Sequence, residues 1–281
     1  MEIETHTQLA VLGHPQRLMV WRMLMRRYPD EMPAGEIAEA TGLKASTLSV
    51  YLSALRKVGL VEQHRMGTSL RYRANVTSAS TMLTYLFADC CRSRPELCFR
   101  PDLAQAASSP VVRKPPYNVL FICTANSARS IFAEALLTQL SGGIFNVYSA
   151  GTAPATAPNP TALEMLRAKG HDTSGLRSKS VEEFSGPDAP VMDFVFTVCD
   201  SAANEECPAW PGQPVSAHWG QPDPSKATGS DAERMLAFQQ AYGALKNRIT
   251  AFAALPFDQL DRASLQARVD EIALSHGTEN A

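Results

Sequence analysis

The second half of the chain alternates between two spacings of apolar residues. Short, nearly continuous apolar runs, typical of buried strands, alternate with longer stretches in which apolar residues recur as on one face of a helix. The predicted strands are residues 119–122, 145–149 and 194–198, and the predicted helices are residues 131–140, 160–169 and 231–255. This alternation predicts an α/β fold with a central parallel sheet over residues 117–281.

The first hundred residues have a mainly helical pattern. Apolar residues on one face predict a helix over residues 15–27, and a short helix ending at Gly42 precedes a second one over residues 46–58. Two helices joined by a turn that contains glycine form a helix-turn-helix. Residues 60–73 predict two strands that turn at Gly67, followed by a helix from residue 76 to about 92. Residues 1–99 are thus predicted to be a mainly α, winged helix-turn-helix domain with a β-hairpin wing.

Polar and basic side chains on the second helix and on the hairpin suit DNA. Such side chains contact phosphates and base edges when a helix lies in the major groove, and a basic hairpin contacts the DNA backbone. The candidate DNA-binding residues are Ser46, Thr47, Ser49, Tyr51, Arg56, Lys57, Arg65, Arg71 and Arg73. A small helical bundle with a hairpin and no affinity for DNA is the alternative.

This layout closely resembles the winged-helix repressors of the ArsR family over about residues 5–98. Such repressors are dimers that release operator DNA on binding a metal or metalloid, and the resemblance implies a homodimer here. The helix after the wing would supply dimer contacts through Met82, Leu83, Leu86 and Phe87. Many metal sensors of the family carry a cysteine pair on the first helix of the helix-turn-helix, and this chain has none there.

Three cysteines follow the wing instead, namely Cys90, Cys91 and Cys98. They look like the C-terminal thiols of the family's arsenite sensors. Trivalent arsenic is soft and suits three thiolates, whereas zinc usually takes four ligands and no histidine lies near this group. The resemblance therefore implies arsenite as a regulatory ligand of the three thiols. Ordinary cysteines that pack a helix are the alternative.

Charge and composition separate the two halves. Residues 1–100 carry 13 Lys and Arg against 9 Asp and Glu, and the remaining residues carry 13 against 19, so different partners are expected. Residues 100–116, rich in Ala, Ser, Pro and basic side chains, predict a linker. Because no apolar run approaches the ~20 residues that span a bilayer, and no signal pattern begins the chain, we expect a cytoplasmic protein without a membrane partner. In the reducing cytoplasm the six cysteines are expected to be free thiols.

The candidate chemistry is concentrated in a loop after the predicted strand 119–122. Cys123 and Arg129 lie at its two ends, and a loop of this length lets consecutive N–H groups point inward, next to the positive end of a helix. A tetrahedral oxyanion fits there, and the same dipoles with Arg129 favour a thiolate at Cys123. The other residues of this oxyanion loop are Thr124, Ala125, Asn126, Ser127, Ala128 and Ser130. The alternative is a buried cysteine and a surface arginine at chance spacing.

Together with residues 148–152, 218–220 and 223–224, the loop resembles the low-molecular-weight tyrosine phosphatase fold over about residues 117–255, in the branch that serves as arsenate reductase. Two further cysteines select the branch: Cys199 after a predicted strand, and Cys207 before a proline. A phosphatase needs one nucleophilic thiol, whereas a reductase must deliver two electrons. Half of a zinc site is the alternative for this pair.

The resemblance implies a relay of three cysteines. Arsenate would be held by the loop and Arg129 while Cys123 attacks arsenic, with Asp223 as the acid that protonates the leaving oxygen. Cys199 would then attack Cys123 and release arsenite, and Cys207 would attack Cys199. Thioredoxin or a similar thiol reductant would act as co-substrate, and no bound cofactor is expected.

Two supporting roles and two departures concern the loop itself. Asn126 is expected to shape the loop, and Ser130 to donate a hydrogen bond to the thiolate. Ala125 stands where glycine is common in the family, which would cost about 1 kcal/mol if that residue needs positive φ. Ala128 replaces a cysteine often found beside the arginine.

Lys179 lies where some relatives have an acid that helps to bind potassium. Residues matching Asn126, Glu134 and Ser149 complete that site in such relatives. Because a lysine ammonium could stand in for the cation, no potassium requirement is predicted.

The expected whole is an arsenite-responsive repressor fused to an arsenate reductase. Two alternatives are a regulator whose second domain binds an oxyanion without turnover, and a phosphotyrosine-type phosphatase tethered to a DNA-binding domain. Cys199 and Cys207 favour the reductase over both.

Overall fold

The computed structural model describes residues 2–91, 115–186, 188–205, 210–212 and 214–275. The chain forms two compact units, Met1–Ser109 and Pro110–Ala281. Cys98, Cys207 and residues 100–114 of the predicted linker lie outside the described residues.

The first unit combines helices with a small antiparallel sheet. Its helices are α1 (Glu2–Leu12), α2 (Pro15–Arg27), α3 (Ala34–Thr41), α4 (Ala45–Lys57) and α5 (Val76–Tyr85), which a π-helical turn, Leu86–Cys90, extends. Its strands β1 (Met32–Pro33), β2 (Val61–Met66) and β3 (Ser69–Ala74) are ordered β1-β3-β2. The predicted winged helix-turn-helix is confirmed, whereas α1 and β1 were not predicted.

Glycines and apolar spacing explain this local structure. Gly42, at φ 67°, ends α3 in the left-handed conformation and turns the chain into α4. Gly67, at φ 60°, begins the two-residue turn between β2 and β3, where positive φ matches the twist of a hairpin. Helix α4 buries Leu48, Leu52 and Leu55 on one face, so its opposite face stays exposed.

One dimer contact predicted on α5 is wrong. The Met82 side chain is only 3% exposed and packs into the core of its own unit, together with residues of α2 and α4. Leu83, in contrast, is 58% exposed on the same helix.

The second unit has a four-stranded parallel sheet. Its strands are β4 (Tyr117–Cys123), β5 (Phe145–Gly151), β6 (Phe194–Thr197) and β7 (Val215–His218), in the order β5-β4-β6-β7. Its helices are α6 (Arg129–Leu140), α7 (Pro160–Ala168), α8 (Asp200–Asn204), α9 (Asp231–Ala253) and α10 (Arg262–Ser275), with 3₁₀ turns at Val181–Phe184 and Pro224–Lys226. The predicted α/β fold is confirmed. Strand β7 and helix α8 were not predicted.

Strand β4 lies between two neighbours and is buried along its whole length. Its carboxyl end is therefore at the centre of one edge of the sheet, where open α/β sheets place their ligands. The outer strand β7 is covered by α10, whose Gln266 side chain accepts from Ser216 N (3.2 Å) and donates to Ser216 O (2.7 Å). Gln266 thus satisfies backbone groups that an edge strand would leave unpaired. Among the described helices, none combines the length and apolar character that crossing a bilayer requires.

Candidate active site and nucleic-acid interface

The oxyanion loop is held from outside by the segment that follows β5. Four of its carbonyl groups accept backbone hydrogen bonds of 2.8–3.1 Å, with Thr152 N, Ala153 N, Ala155 N and Asn159 N as the donors. Because these carbonyl groups point outward, the N–H groups of the loop can point to its inner side. Asn126 N accordingly donates to Cys123 Sγ over 3.2 Å. The loop therefore has the geometry of an anion cradle at the start of a helix.

Gly151 lets the loop and β5 approach each other. A Cβ atom at this position would lie 2.5 Å from Thr124 O and 3.0 Å from Asn126 N. Both are backbone atoms that cannot swing aside, so only glycine fits here.

Asn126 organises a directional hydrogen-bond network. Its Oδ1 accepts from Lys179 N (2.7 Å), which leaves Nδ2 to donate to Ser130 Oγ (2.8 Å) and Ser149 Oγ (2.7 Å). Since Ser130 Oγ accepts this bond, its own proton is available for Cys123 Sγ at 3.0 Å. The described part of the chain has positive φ outside glycine only at Asn126 (φ 45°), so Ala125 carries no such strain.

The environment of Cys123 opposes the thiolate, contrary to the sequence-based expectation. Burial raises the pKa of the Cys123 thiol above its ordinary value, and the neighbouring Cys199 raises that pKa further. The hydrogen bonds of Ser130 and the charge of Arg129 lower the pKa without overcoming burial. The net effect is a raised pKa for the Cys123 thiol.

Replacement of Ser130 by alanine should slow alkylation of Cys123. A hydrogen bond to a charged group contributes about 1.5–3 kcal/mol, so at fixed pH the iodoacetamide rate should fall roughly tenfold or more. Because the pKa of Cys123 is raised, the native rate should climb as pH increases through the alkaline range. Peptide mass spectrometry would follow the modification. A Ser141→Ala control removes another buried serine, and equal rates in both variants would contradict the role of Ser130.

Arg129 joins the loop to the segment after β7. Its guanidinium donates to Gln221 O (2.9 Å) and to Asp223 Oδ2 (2.8 Å), and its side chain is 9% exposed. Asp223 Oδ1 in turn accepts from the Ser225 backbone N and hydroxyl. The predicted anion holder and the predicted acid are thus in direct contact.

A second thiol lies against the loop. Cys199 follows β6 as the N-cap of α8, is 1% exposed, and its Sγ is 3.4 Å from Thr124 Oγ1. Helix α8 begins directly after Cys199, and Cys207 lies outside the described residues. Cys123 and Cys199 are both free thiols.

The charge predicted to replace potassium is in place as an ion pair. Lys179 Nζ lies 2.9 Å from Glu134 Oε2, and both side chains are largely buried. Ser149 Oγ donates to the same carboxylate over 2.5 Å. The ion pair is therefore connected through Ser149 and Asn126 to Ser130.

Potassium should stimulate a Lys179→Asp variant more than the native protein. The substitution places two carboxylates together, and an added cation relieves their repulsion. Activity would be compared in potassium and sodium chloride at equal ionic strength. Equal stimulation of both proteins by potassium would contradict the proposal that the Lys179 ammonium takes the place of a potassium ion.

The predicted DNA-binding residues divide into exposed and half-buried side chains. Ser46, Ser49, Arg56, Lys57 and Arg65 are exposed. Four others are half-buried. They are Thr47; Tyr51, which donates to Gln16 Oε1 (2.6 Å); Arg71, which donates to Glu31 O (3.4 Å); and Arg73, which pairs with Glu62 (2.8 Å).

Val50 was missed by the sequence reasoning. It lies among the exposed serines of α4 and is itself 65% exposed. An exposed valine on a helix that enters the major groove can contact a thymine methyl group. Its signal was weak, since single exposed apolar residues are common.

The cysteines after the wing differ in state. Cys90 ends the π-helical turn as an exposed free thiol, whereas Cys91 is disulfide-bonded. The expectation that every cysteine is a thiol is therefore wrong for Cys91. Because arsenite binds thiolates, Cys91 must be reduced before it can act as a ligand.

Comparison with family models places both units. The model described as low molecular weight phosphotyrosine protein phosphatase matches residues 118–267, just over half of the chain. The chain belongs to this phosphatase family. A model described as helix-turn-helix domain matches residues 12–64.

Curated proteins similar to this chain include arsenate reductases. One from Halalkalibacterium halodurans is 36% identical over 135 residues, and one from Bacillus licheniformis is 38% identical over 136 residues; each alignment covers 48% of this chain and 94% of the relative. A solved structure described as an arsenate reductase in oxidized state is 29% identical, covers 49% of this chain and 96% of that chain, and has a TM-score of 0.41.

Some contacts of this phosphatase-family unit were not predictable from side-chain types. The partner of Arg129 at residue 221 is a backbone carbonyl, which any residue type supplies. The glycine in the segment 148–152 was the only signal for the close approach of β5 to the loop.

Proposed function

We propose that the second unit reduces arsenate to arsenite. The observation that carries this proposal is the position of Cys199, a second buried thiol against the loop that holds Cys123. A phosphatase has no use for such a thiol. A reductase requires one, because a second thiol must attack the sulfur that has bonded to the oxyanion and form a disulfide with it.

The first step bonds arsenic to sulfur. Inner amides of the loop and Arg129 hold arsenate, and the Cys123 sulfur attacks arsenic while an arsenate oxygen leaves as water. Asp223, in contact with Arg129 over 2.8 Å, takes a proton from the bound, protonated arsenate and gives it to that leaving oxygen. The proton of the Cys123 thiol passes to the bound oxyanion as the sulfur–arsenic bond forms.

The second step transfers two electrons. Cys199 attacks the Cys123 sulfur, the sulfur–arsenic bond breaks, and its electron pair leaves with arsenic as arsenite. The product on the protein is a Cys123–Cys199 disulfide, so arsenic(V) has become arsenic(III) and two thiols have been oxidised.

The third step restores the nucleophile. Cys207 attacks Cys199, a Cys199–Cys207 disulfide forms, and Cys123 leaves as a thiolate. A thioredoxin-type dithiol then reduces the new disulfide. The experiment is arsenite formation from arsenate with thioredoxin, thioredoxin reductase and NADPH. Hydrolysis of p-nitrophenyl phosphate without arsenate turnover would favour a phosphatase instead.

We further propose that the first unit is an arsenite-responsive repressor. The exposed serines of α4 and the basic wing residue Arg65 support operator binding, and exposed Leu83 supports dimer formation through α5. Cys90, Cys91 and Cys98 are the proposed arsenite ligands. The π-helical turn that ends at Cys90 supports this assignment, because such turns are frequent at functional sites.

Arsenite should release DNA from the native protein but not from a variant with Cys90, Cys91 and Cys98 changed to serine. The reason is that three thiolates are needed to hold trivalent arsenic. Fluorescence anisotropy would follow a DNA fragment selected by the protein from a random library, with a phosphine reductant present so that Cys91 is a thiol. Native affinity in the absence of arsenite is the control for folding. Unchanged release from the triple variant would contradict the sensing role.

A further inference from the structure

His218 is a buried titratable side chain that no step above uses. It ends β7, is 1% exposed, and contacts residues on both sides of Cys199. Its Nδ1 is 2.8 Å from Thr197 Oγ1, and its Nε2 is 3.0 Å from Asp200 Oδ1. One imidazole therefore bridges the end of β6 and the start of α8, across the thiol between them.

The support behind this imidazole is rigid. Thr197 and His218 are paired in the parallel sheet, and Trp219 N donates to Thr197 O over 2.7 Å. The Trp219 ring, fully buried, stacks on Phe196 with centroids 4.1 Å apart. A side chain that makes two hydrogen bonds and packs on such a rigid support fixes the position of the residues it contacts.

Gly220 makes the contact with Asp200 sterically feasible. A Cβ atom at this position would lie 2.5 Å from both Asp200 Oδ1 and His218 Nε2, the two atoms that form the bond. The hydrogen bond between His218 and Asp200 therefore requires glycine at position 220.

The two bonds differ in strength. Thr197 belongs to the sheet, whereas the Asp200 side chain is 54% exposed and begins a helix of only five residues. Because solvent competes for the exposed Asp200 carboxylate, the Asp200 bond is the weaker of the two. The bridge can open at α8 while β6 and β7 stay paired.

We propose that His218 is a positioning residue that latches Cys199 beside Cys123. The latch consists of the hydrogen bonds from His218 to Thr197 and to Asp200. This proposal depends on the proposed reductase function. Closed, it keeps the Cys199 sulfur at the loop for attack on Cys123. Open at Asp200, it lets the oxidised sulfur leave a site where it is 1% exposed, as a protein dithiol requires for access. The latch itself makes and breaks no covalent bond.

Three variants test the latch in the full chain. His218→Ala removes both bonds, Thr197→Val removes one with little change of shape, and Asp200→Ala acts at the exposed partner without disturbing the core. His171→Ala is the matched control, since His171 is also buried, with its Nε2 2.7 Å from the Tyr242 hydroxyl. Alkylation of Cys199 and Cys123 by iodoacetamide is measured on the reduced proteins, with and without inorganic phosphate.

Cys199 in His218→Ala should be alkylated at least tenfold faster than in the native protein, with smaller increases in the other two variants. Protection of Cys123 by phosphate should stay within about twofold of native. In single-turnover assays the maximal rate of arsenite formation should fall about tenfold, while the arsenate concentration that gives half of that rate is unchanged. The control should match native in every measurement.

Two results would overturn the latch. One is a native rate of Cys199 alkylation in both His218→Ala and Asp200→Ala. The other is a joint change of Cys199, Cys123 and phosphate protection, which would indicate general loosening of the unit. Absence of arsenite formation by the native protein would contradict the proposed function instead, because the alkylation measurement needs no turnover.

Discussion

Replacement of Cys199 by serine should abolish arsenite formation, with a loss on the order of 10³-fold or more. A serine hydroxyl cannot form a disulfide with Cys123, so the electron pair of the sulfur–arsenic bond has no route to arsenic. Binding of the oxyanion should persist, because the loop amides and Arg129 are untouched. Arsenite would be measured with a thioredoxin system as the electron source.

Two controls separate chemistry from folding in this variant. Phosphate should still protect Cys123 from alkylation, and a Cys90→Ser variant, which removes an exposed thiol of the first unit, should turn over like the native protein. Arsenite formation that survives in Cys199→Ser would contradict the relay.

Replacement of Gly151 by alanine should lower kcat/KM for arsenate by on the order of 10²-fold, because displacement of catalytic groups by about 1 Å costs that much. The new Cβ would lie 2.5 Å from Thr124 O, well below the 3.0 Å at which atoms must shift. The shift moves the backbone amides that hold the anion. Overpacking of this kind also costs about 1–3 kcal/mol of stability.

Gly175→Ala is the matched control, since a Cβ there meets nothing within 4 Å and the position has no unusual φ. It should retain native kcat/KM and a native melting temperature. A Gly151→Ala variant with native kinetics would show that the loop tolerates displacement and would contradict the role assigned to this close approach.

The elements that the sequence predicted well are those with strong local patterns. Helix α2 begins at Pro15 and ends at Arg27 as predicted, since proline favours a first turn and basic residues follow an apolar face. Strands β4 and β6 were predicted because buried parallel strands are continuous apolar runs.

The missed elements lack such patterns. Strand β7 has four residues, two of them polar, and it exists because β6 pairs with it and α10 covers it. Helix α1 has no strong apolar face, and its Gln8 side chain instead donates to Val58 O and Ser78 Oγ. Tertiary contacts decide both elements.

For the active site, the sequence predicted the loop residues but not their environment. Cys123 and Arg129 could be assigned by their spacing. The raised pKa of Cys123 could not be, since it depends on burial at the centre of the sheet and on a thiol that is distant in sequence. Backbone partners such as Gln221 O have no residue-type signal at all.

In the proposed mechanism, thiols of the second unit supply the electrons for arsenate reduction. The most direct measurement is a single turnover of the fully reduced protein with arsenate and no added reductant, followed by arsenite quantification and disulfide mapping by mass spectrometry. We expect one arsenite per chain and a Cys199–Cys207 disulfide. No arsenite, with Cys123 and Cys199 still reduced, would contradict it.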